Sequence, residues 1–400
     1  MQVLRTYSFR LEPTPAQEQR LRRMAGCARL VWNRGVEITR GCLERGERIP
    51  RYKALTSALI AWKAELPFLK EDAYSQALQQ SLRDLDQAWQ ACFDPKRPNS
   101  KAPRFKKRGD GDTIRFPQHF KVRGNEVQLP KIGAVSYRNS RRIPSDATAQ
   151  SVVITREGQH WMVHIQVKRD LFELSTPPAD DIVGIDLGVA RFLTVSDGTY
   201  VDALNERYQQ LQKRLAVEQK RLERKEKGSN NRAKQRAKVA SVHRKLRNIR
   251  HDFCHKVSTH LANSHGQVVV EDLAIGNMTA SARGTLEQPG RQVRAKSGLN
   301  RSILAQGWGT FRQMLDYKLA ERGGRLIRVN PAHTSQQCPE CGHTAAGNRP
   351  SQAVFRCQAC GYQAHADWVG AKNILARGIQ ELRDEGQGTA GAPAGCLSPA

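Results

Sequence analysis

Residues 181–201 read DIVGIDLGVARFLTVSDGTYV, and the reading of this stretch decides the fold. Ile182 to Ile185 is a short apolar run rich in β-branched residues, which predicts a buried strand. It ends at Asp186, followed by Leu187-Gly188. Phe192 to Val195 is a second apolar run, and Asp197-Gly198 is a tight-turn pair ahead of Thr199-Tyr200-Val201. One acid therefore sits on the first of three consecutive strands.

An Asp at a strand end is most often a turn or capping residue, but two further acids change its meaning. Glu271 closes the run Val268-Val269-Val270, and Asp367 opens a helix-like stretch that runs to Arg377. Between them lie a long helical region at 204–261, a loop rich in Gly, Arg and Gln at 276–299, a helix at 301–320 and a strand at 325–329. Three strands, helix, strand, helix, strand, helix is the element order of an RNase H-type α/β fold, whose acids converge on divalent metal. Converging carboxylates need a cation, since two of them ~4 Å apart repel by ~4 kcal/mol at an effective dielectric near 20.

The flanking sequence sets the partners. The 400 residues carry 65 Lys+Arg against 38 Asp+Glu, a net charge of +27. An excess of this size points to nucleic acid first and an anionic membrane a distant second. No run approaches the ~18 apolar residues of a membrane span, and MQVLRTYSFRLEP at the start lacks the apolar segment of a signal peptide. A cytoplasmic, nucleoid-associated protein with no membrane partner is the expectation.

Before the quoted stretch, Val3–Leu11 reads as a strand. Thr14, Pro15 and Gln17 make a helix start with a capping box, and helical spacing continues near 54–63 and 75–93. In the last of these Gln76 and Gln80 lie i, i+4 on one face, where amides can meet base edges; an exposed polar face explains them equally well. Residues 94–108, DPKRPNSKAPRFKKR, hold seven Lys/Arg, one acid and three prolines. Prolines keep the segment extended, so Lys101, Arg104, Lys106 and Lys107 are read as a phosphate-gripping strip. Short β-like runs from 113 to 167, broken by Gly and Pro, suggest a small barrel or sandwich that the first strand joins, with the helices as an insertion. Ser175–Asp180 reads as a linker. After the three strands, residues 205–250 carry 16 Lys/Arg and 4 acids, and their apolar spacing predicts a basic helical hairpin interrupted at Gly228–Asn231.

Nine cysteines occur, and four of them are organised. C-P-E-C at 338–341 and C-Q-A-C at 357–360 have the spacing of a tetrahedral, structural zinc site with Cys338, Cys341, Cys357 and Cys360 as ligands. Gly342 and Gly361 permit the two turns, while His343 and His365 are read as neighbours rather than ligands. The other five are scattered, as reduced thiols are.

The zinc module is inserted immediately before the helix that carries Asp367, and here a family becomes recognisable. VGIDLG at 183–188, VVVEDL at 268–273, TSQQCPECG at 334–342 and CQACGYQAHADWVGAKNIL at 357–375 resemble the TnpB family. These are OrfB-type, transposon-encoded RNA-guided nucleases related to compact type V CRISPR effectors. FRLEPTPAQEQRL near the start and PRFKKR at 103–108 extend the resemblance over nearly the whole chain.

The resemblance implies a RuvC-like nuclease domain (181–334 and 362–380) holding two Mg²⁺ ions between Asp186, Glu271 and Asp367. One ion would activate water and the other stabilise the departing 3′ oxygen. It implies a zinc ribbon (335–361), a wedge β-barrel domain (1–12 and 96–180) and a helical recognition domain (13–95). Residues 381–400, rich in Gly, Ala and Pro, are expected to be disordered. The partners implied are a guide RNA from the transposon end and double-stranded target DNA opened beside a short flanking motif, alongside a separate transposase. Asp272, on the opposite strand face from Glu271, is read as structural, and Val369 stands where many members carry Asn. The alternatives are a nuclease-inactive RNA-guided DNA binder acting as a repressor, and a transposase-type strand-joining enzyme. The acid order Asp, Glu, Asp disfavours the second.

Overall fold

Alternation of Tyr7, Phe9 and Leu11 gives residues 2–12 one buried face, and the computed structural model sets that strand in the middle of a sheet. The structure describes residues 2–109, 111–170, 181–285 and 288–389. They fall into two compact units, the first up to residue 170 and the second from residue 181. The linker expected at 175–180 lies outside the described residues.

The first unit runs β1 (Gln2–Glu12), α1 (Pro15–Glu44), α2 (Tyr52–Glu65), α3 (Phe68–Glu71), α4 (Ser75–Phe93), β2 (Thr113–Phe116), β3 (Lys121–Arg123), β4 (Glu126–Leu129), β5 (Gly133–Arg138), β6 (Thr148–Glu157) and β7 (His160–Asp170). α1 begins as its residues dictate. Thr14 Oγ1 accepts from the Gln17 amide at 3.3 Å while Gln17 Oε1 accepts from the Thr14 amide at 3.0 Å. The seven strands form one antiparallel sheet in the order β2-β6-β7-β1-β5-β4-β3. Its edge strands, β2 and β3, do not pair with each other, so the expected closed barrel is a half-barrel. The edges are too short to close it: β3 has three residues and β2 four. Sheet and helices share one apolar core, from Phe9, Phe116 and Trp161 to Leu21, Leu78 and Leu85.

The second unit runs β8 (Ile182–Leu187), β9 (Arg191–Val195), β10 (Tyr200–Asp202), α5 (Glu206–Glu223), α6 (Asn230–Ser264), β11 (Gln267–Glu271), α7 (Ile275–Met278), α8 (Val293–Gln306), α9 (Trp308–Ala320), β12 (Arg325–Val329), β13 (Val354–Arg356), β14 (Gln363–His365) and α10 (Ala366–Thr389). Its main sheet has the order β10-β9-β8-β11-β12. β8, β11 and β12 are parallel, and β9 and β10 are antiparallel additions. Parity divides the residues of β8 and β11. Val183, Ile185, Val268 and Val270 pack with Phe311 and Leu315 of α9, while Val269 packs with Ile374 of α10.

Four expectations in this unit are corrected. The loop expected to reach 299 becomes helical at Val293, and the single helix expected at 301–320 is α8 and α9, broken at Gly307. Gly307 has φ +75°, and a β-carbon there would lie 2.9 Å from Arg250 Cδ. The last helix does not stop near Arg377, and residues 381–389, expected to be disordered, are its final turns. Leu382 packs beside Ile327 and Ile374, and Arg325 pairs with both Glu385 oxygens at 2.7 and 2.9 Å, which holds the helix against β12.

Candidate nuclease centre and zinc ribbon

Strand parity also aims the acids. Val270 pairs in register with Ile185 in the parallel ladder, so Glu271 and Asp186 are the next residues on adjacent strands. Both share the face of Gly184 and Val269, which is the face α10 covers. α10 approaches closely because β8 has a glycine there. A β-carbon on Gly184 would lie 2.4 Å from the Ala371 carbonyl oxygen and 2.6 Å from the Leu375 nitrogen. Both obstacles are backbone and cannot turn aside. Gly184→Ala is therefore expected to destabilise the second unit by about 1–3 kcal/mol or more, read as a lowered thermal midpoint in that unit. An unchanged midpoint would contradict this packing.

Asp367 stands in the first turn of α10, one turn before Gly370, whose missing side chain leaves room for the Asp186 carboxylate; a β-carbon there would be 3.0 Å from Asp186 Oδ2. Asp186 feels the other two acids. Asp186 is pushed up to about 7, first by burial, then by the charges of Glu271 and Asp367, with Arg349 working in the opposite direction. Burial also raises Glu271, against the Thr334 hydroxyl, Arg377 and Arg349. Thr334 Oγ1 donates to Glu271 Oε1 at 2.5 Å. Arg349 reaches from the ribbon to within 3.6 Å of Asp367 Oδ1, and His365 Nδ1 lies 3.9 Å from Asp367 Oδ2. Glu271 and Asp367 thus lie near enough to Asp186 to act on its carboxyl, and Arg349 works against them. Among the described residues, however, only the four cysteines gather three or more ligand atoms within 4.8 Å of one another. Asp272 lies on the other face, where Arg312 Nη1 of α9 donates to it at 2.8 Å.

Thr334, Arg349 and Gly370 were not singled out from the sequence. Thr334 and Gly370 lie inside the quoted motifs, where their spacing to the acids carries no signal. Arg349 sits in an irregular loop, and only folding of the ribbon brings it to the acids.

The four thiols lie where the spacing predicts. Cys338 and Cys360 sulfurs are 3.7 Å apart, and those of Cys341 and Cys357 are 3.6 Å apart. Four thiolates at ~2.3 Å from a zinc ion span tetrahedron edges of about 3.8 Å, so this donor set fits zinc. Gly342 (φ +74°) and Gly361 (φ +78°) turn the two knuckles back, their amides donating to Cys338 and Cys357 carbonyls at 3.0 and 3.1 Å. Buried Asn348 ties the knuckles together. Its Nδ2 donates to the Gln336 and His343 carbonyls, and its Oδ1 accepts from the Gln358 amide. Val369 is buried with Phe355, Cys338 and Cys357, as an apolar contact of α10 with the ribbon.

In the first unit, residues 94–108 form no helix or strand, and Lys101, Arg104 and Lys107 are exposed. Lys106 instead turns onto the Trp32 ring, its Nζ 3.6 Å from the centroid. Burial holds its amine below the usual lysine range despite Asp84. The backbone of the strip is tied down as well: Trp32 Nε1 donates to the Arg104 carbonyl at 3.0 Å and Arg40 to the Pro103 carbonyl at 2.7 Å. Gln76 accepts from the Tyr74 hydroxyl and donates to Gln118; Gln80 is half-buried on the same helix.

Comparison with known proteins follows the same motifs. A family model described as "Probable transposase" (OrfB_IS605) matches residues 160–282, and one described as "Cas12f1-like, TNB domain" matches 308–374. The Escherichia coli (strain K12) protein "Putative RNA-guided DNA endonuclease InsQ" is 46% identical over 384 residues, covering 94% of this chain and 93% of that protein. The chain belongs to the TnpB/OrfB_IS605 family. A second member, "Putative RNA-guided DNA endonuclease" of Streptomyces pristinaespiralis, is 33% identical over 386 residues, 94% of this chain and 90% of its own. Among solved structures, the Cas12f1 protein in a complex with sgRNA and target DNA has the same overall fold, with a TM-score of 0.55 at 12% identity over 94% of this chain and 99% of that one. In this family's terms the four-cysteine cluster belongs to the TNB domain. A helix-turn-helix family model matches residues 1–48, yet in this chain they hold β1 and the single unbroken helix α1. No helix among the described residues is long and apolar enough to cross a membrane.

Proposed function

We propose that this protein is an RNA-guided DNA endonuclease whose nuclease centre is Asp186, Glu271 and Asp367. The observation that carries the proposal is the Asp186 carboxyl, buried and pushed up to about 7 in part by the other two acids. These acids come from the ends of two adjacent parallel strands and from a helix start, 181 positions apart at the extremes. Acids sharing a buried pocket cost stability unless cations neutralise them, so the arrangement argues for a functional site rather than a structural one. The sheet order β10-β9-β8-β11-β12, with acids at the ends of β8 and β11, supports an RNase H-like, RuvC-type reading of this unit.

Carboxylate oxygens are hard donors suited to Mg²⁺, and a pair of such ions held by Asp186, Glu271 and Asp367 would supply water activation and charge neutralisation for phosphodiester hydrolysis. The chain's own residues prepare the pocket. The Thr334 hydroxyl fixes the Glu271 carboxylate and favours its charged form. Gly370 leaves the space that Asp186 occupies. Arg349 sets a positive charge beside Asp367. Zinc held by Cys338, Cys341, Cys357 and Cys360 is assigned a structural role, since four thiolates leave no open position.

The remainder of the reading follows the family. A guide RNA from the transposon end would select double-stranded DNA by base pairing next to a short flanking motif, with the protein gripping backbone. The wedge and recognition parts of the first unit would read that motif, with Gln76 and Gln80 toward bases and the exposed Lys101, Arg104 and Lys107 toward phosphates, while Lys106 stays on Trp32. A net charge of +27 suits a nucleic-acid partner. The protein purified with its copurifying RNA is expected to cut plasmid DNA matching that RNA when Mg²⁺ is supplied, and to bind it uncut when Mg²⁺ is withheld. Uncut DNA under every Mg²⁺ condition, with binding intact, would leave only a guided binder. Strand-joined products made without a partner recombinase would instead indicate a transposase.

A further inference from the structure

We propose that the cleft between α5 and α6 is a phosphodiester-binding site that concentrates the hairpin's grip on nucleic acid at one place. The proposal rests on the nucleic-acid partnership argued above, and it names where the hairpin makes that contact. The cleft has a volume of about 460 Å³ and is lined by Arg207, Gln210, Leu211, Arg214, Lys245, Asn248 and Ile249.

The lining follows from helical periodicity. Residues 207, 210, 211 and 214 are i, i+3, i+4 and i+7 on α5, and 245, 248 and 249 are i, i+3 and i+4 on α6, so two single faces confront each other. Leu211 and Ile249 pack on the apolar seam of Leu204, Tyr208, Val242 and Leu246, which closes the floor. Three cations and two amides stand above that floor, and no acid is among them.

Two acids lie beside the cleft, one bonded to its lining amide Gln210 and one lowered in part by the charge of Arg214. Glu206 accepts from Gln210 at 3.3 Å, and Glu218 accepts from Arg221 at 3.1 Å and from Gln235 at 2.6 Å. Among the described residues Arg207, Arg214 and Lys245 make no ion pair within 4 Å. Three like charges around one concavity repel each other, Glu218 offsetting only that of Arg214, and an anion between them relieves that repulsion. An apolar floor beneath polar walls matches the make-up of a nucleotide, with phosphate oxygens toward the cations and the sugar on Leu211 and Ile249. RNA and DNA share this chemistry, and Gln210 and Asn248 offer donors and acceptors that a 2′-hydroxyl would use.

The test compares two triple variants of the full-length chain. One removes the cleft's charges (Arg207→Ala, Arg214→Ala, Lys245→Ala). The other removes equal charge from exposed positions elsewhere on the hairpin (Lys213→Ala, Lys220→Ala, Lys234→Ala). All six side chains are exposed, and unchanged thermal midpoints verify folding. Affinity for a mixed-sequence single-stranded RNA and for a DNA duplex of similar length is measured across a salt series. Loss of three phosphate contacts lowers the slope of log affinity against log salt by about 2 on single-stranded RNA and by nearly 3 on duplex DNA.

A slope lost by the cleft variant alone supports the site, and the probe on which it is lost identifies the strand. Equal losses in both variants, or an unchanged slope in the cleft variant, overturn it. A wild-type chain that binds neither probe overturns the nucleic-acid reading as well.

Discussion

Asp186→Ala is expected to lower guide-dependent DNA cleavage roughly a thousandfold or more, with guide-dependent DNA binding retained. On the proposed reading Asp186 is one of three metal-holding carboxylates, the one on which both others act, and its removal leaves the basic hairpin's charges in place. Cleavage in a Mg²⁺ titration and binding by gel retardation separate the two effects. Loss of binding together with cleavage would make Asp186 a structural acid.

The same residue predicts a stability signature. Its folded-state value near 7 lies above the ordinary ~3.9 of an Asp. Between those values the folded chain holds a proton that the unfolded chain does not, so the contribution of Asp186 to stability falls as pH rises through that window. Metal-free protein should therefore melt lower at pH 8 than at pH 5 by more than Asp186→Asn does, because asparagine does not ionise. Mg²⁺ should raise the wild-type midpoint more at pH 8 than at pH 5. Equal pH dependence in both proteins would mean that neither burial nor the neighbouring acids raise the Asp186 carboxyl in the folded state.

The second large effect is expected at the ribbon. Cys357→Ser removes one of four clustered sulfurs whose separations match the edges of a zinc tetrahedron, and structural zinc contributes about 10–16 kcal/mol of apparent folding free energy in isolated finger peptides at neutral pH. The ribbon's own core is small, with Phe355, Ala366 and Val369 beside Cys338 and Cys357, so it has little else to fold on. The variant should lose bound zinc, become sensitive to proteolysis within 335–361, and lose most of its cleavage activity. The activity loss has a specific route. The ribbon carries Arg349 to Asp367, and Asn373 of α10 donates to the Thr334 and Gln337 carbonyls at 2.7 Å each, tying α10 to the segment that holds Glu271 through Thr334. Full zinc content and full cleavage in Cys357→Ser would show that the cysteines are incidental.

The local signals were strong where one residue's chemistry forces its conformation. Thr14, Pro15 and Gln17 set a helix start through hydrogen bonds three residues apart. The strands at 113–116, 126–129 and 325–329 follow from alternation bounded by turn residues. The breaks in the long helical pattern were harder to read. Gly307 ends a helix because Arg250 crosses it, a contact 57 positions away, and α10 continues to Thr389 because β12 offers Leu382 and Glu385 partners.

By itself, the sequence determined the chemistry available: three acids at element ends, four cysteines at zinc spacing, and an excess of positive charge. Parity along β8 and β11 even determined which face each acid occupies, since side chains alternate with a period of two. Only the tertiary structure decided that Asp367 meets that face, because the close approach of α10 depends on Gly184 and Gly370 lying opposite backbone and carboxylate from distant segments. It likewise decided that Arg349 and Thr334 attend the acids, and that three cations of a long basic hairpin share one cleft. Contacts between residues far apart in the chain depend on how elements pack, and no short-range pattern encodes that packing.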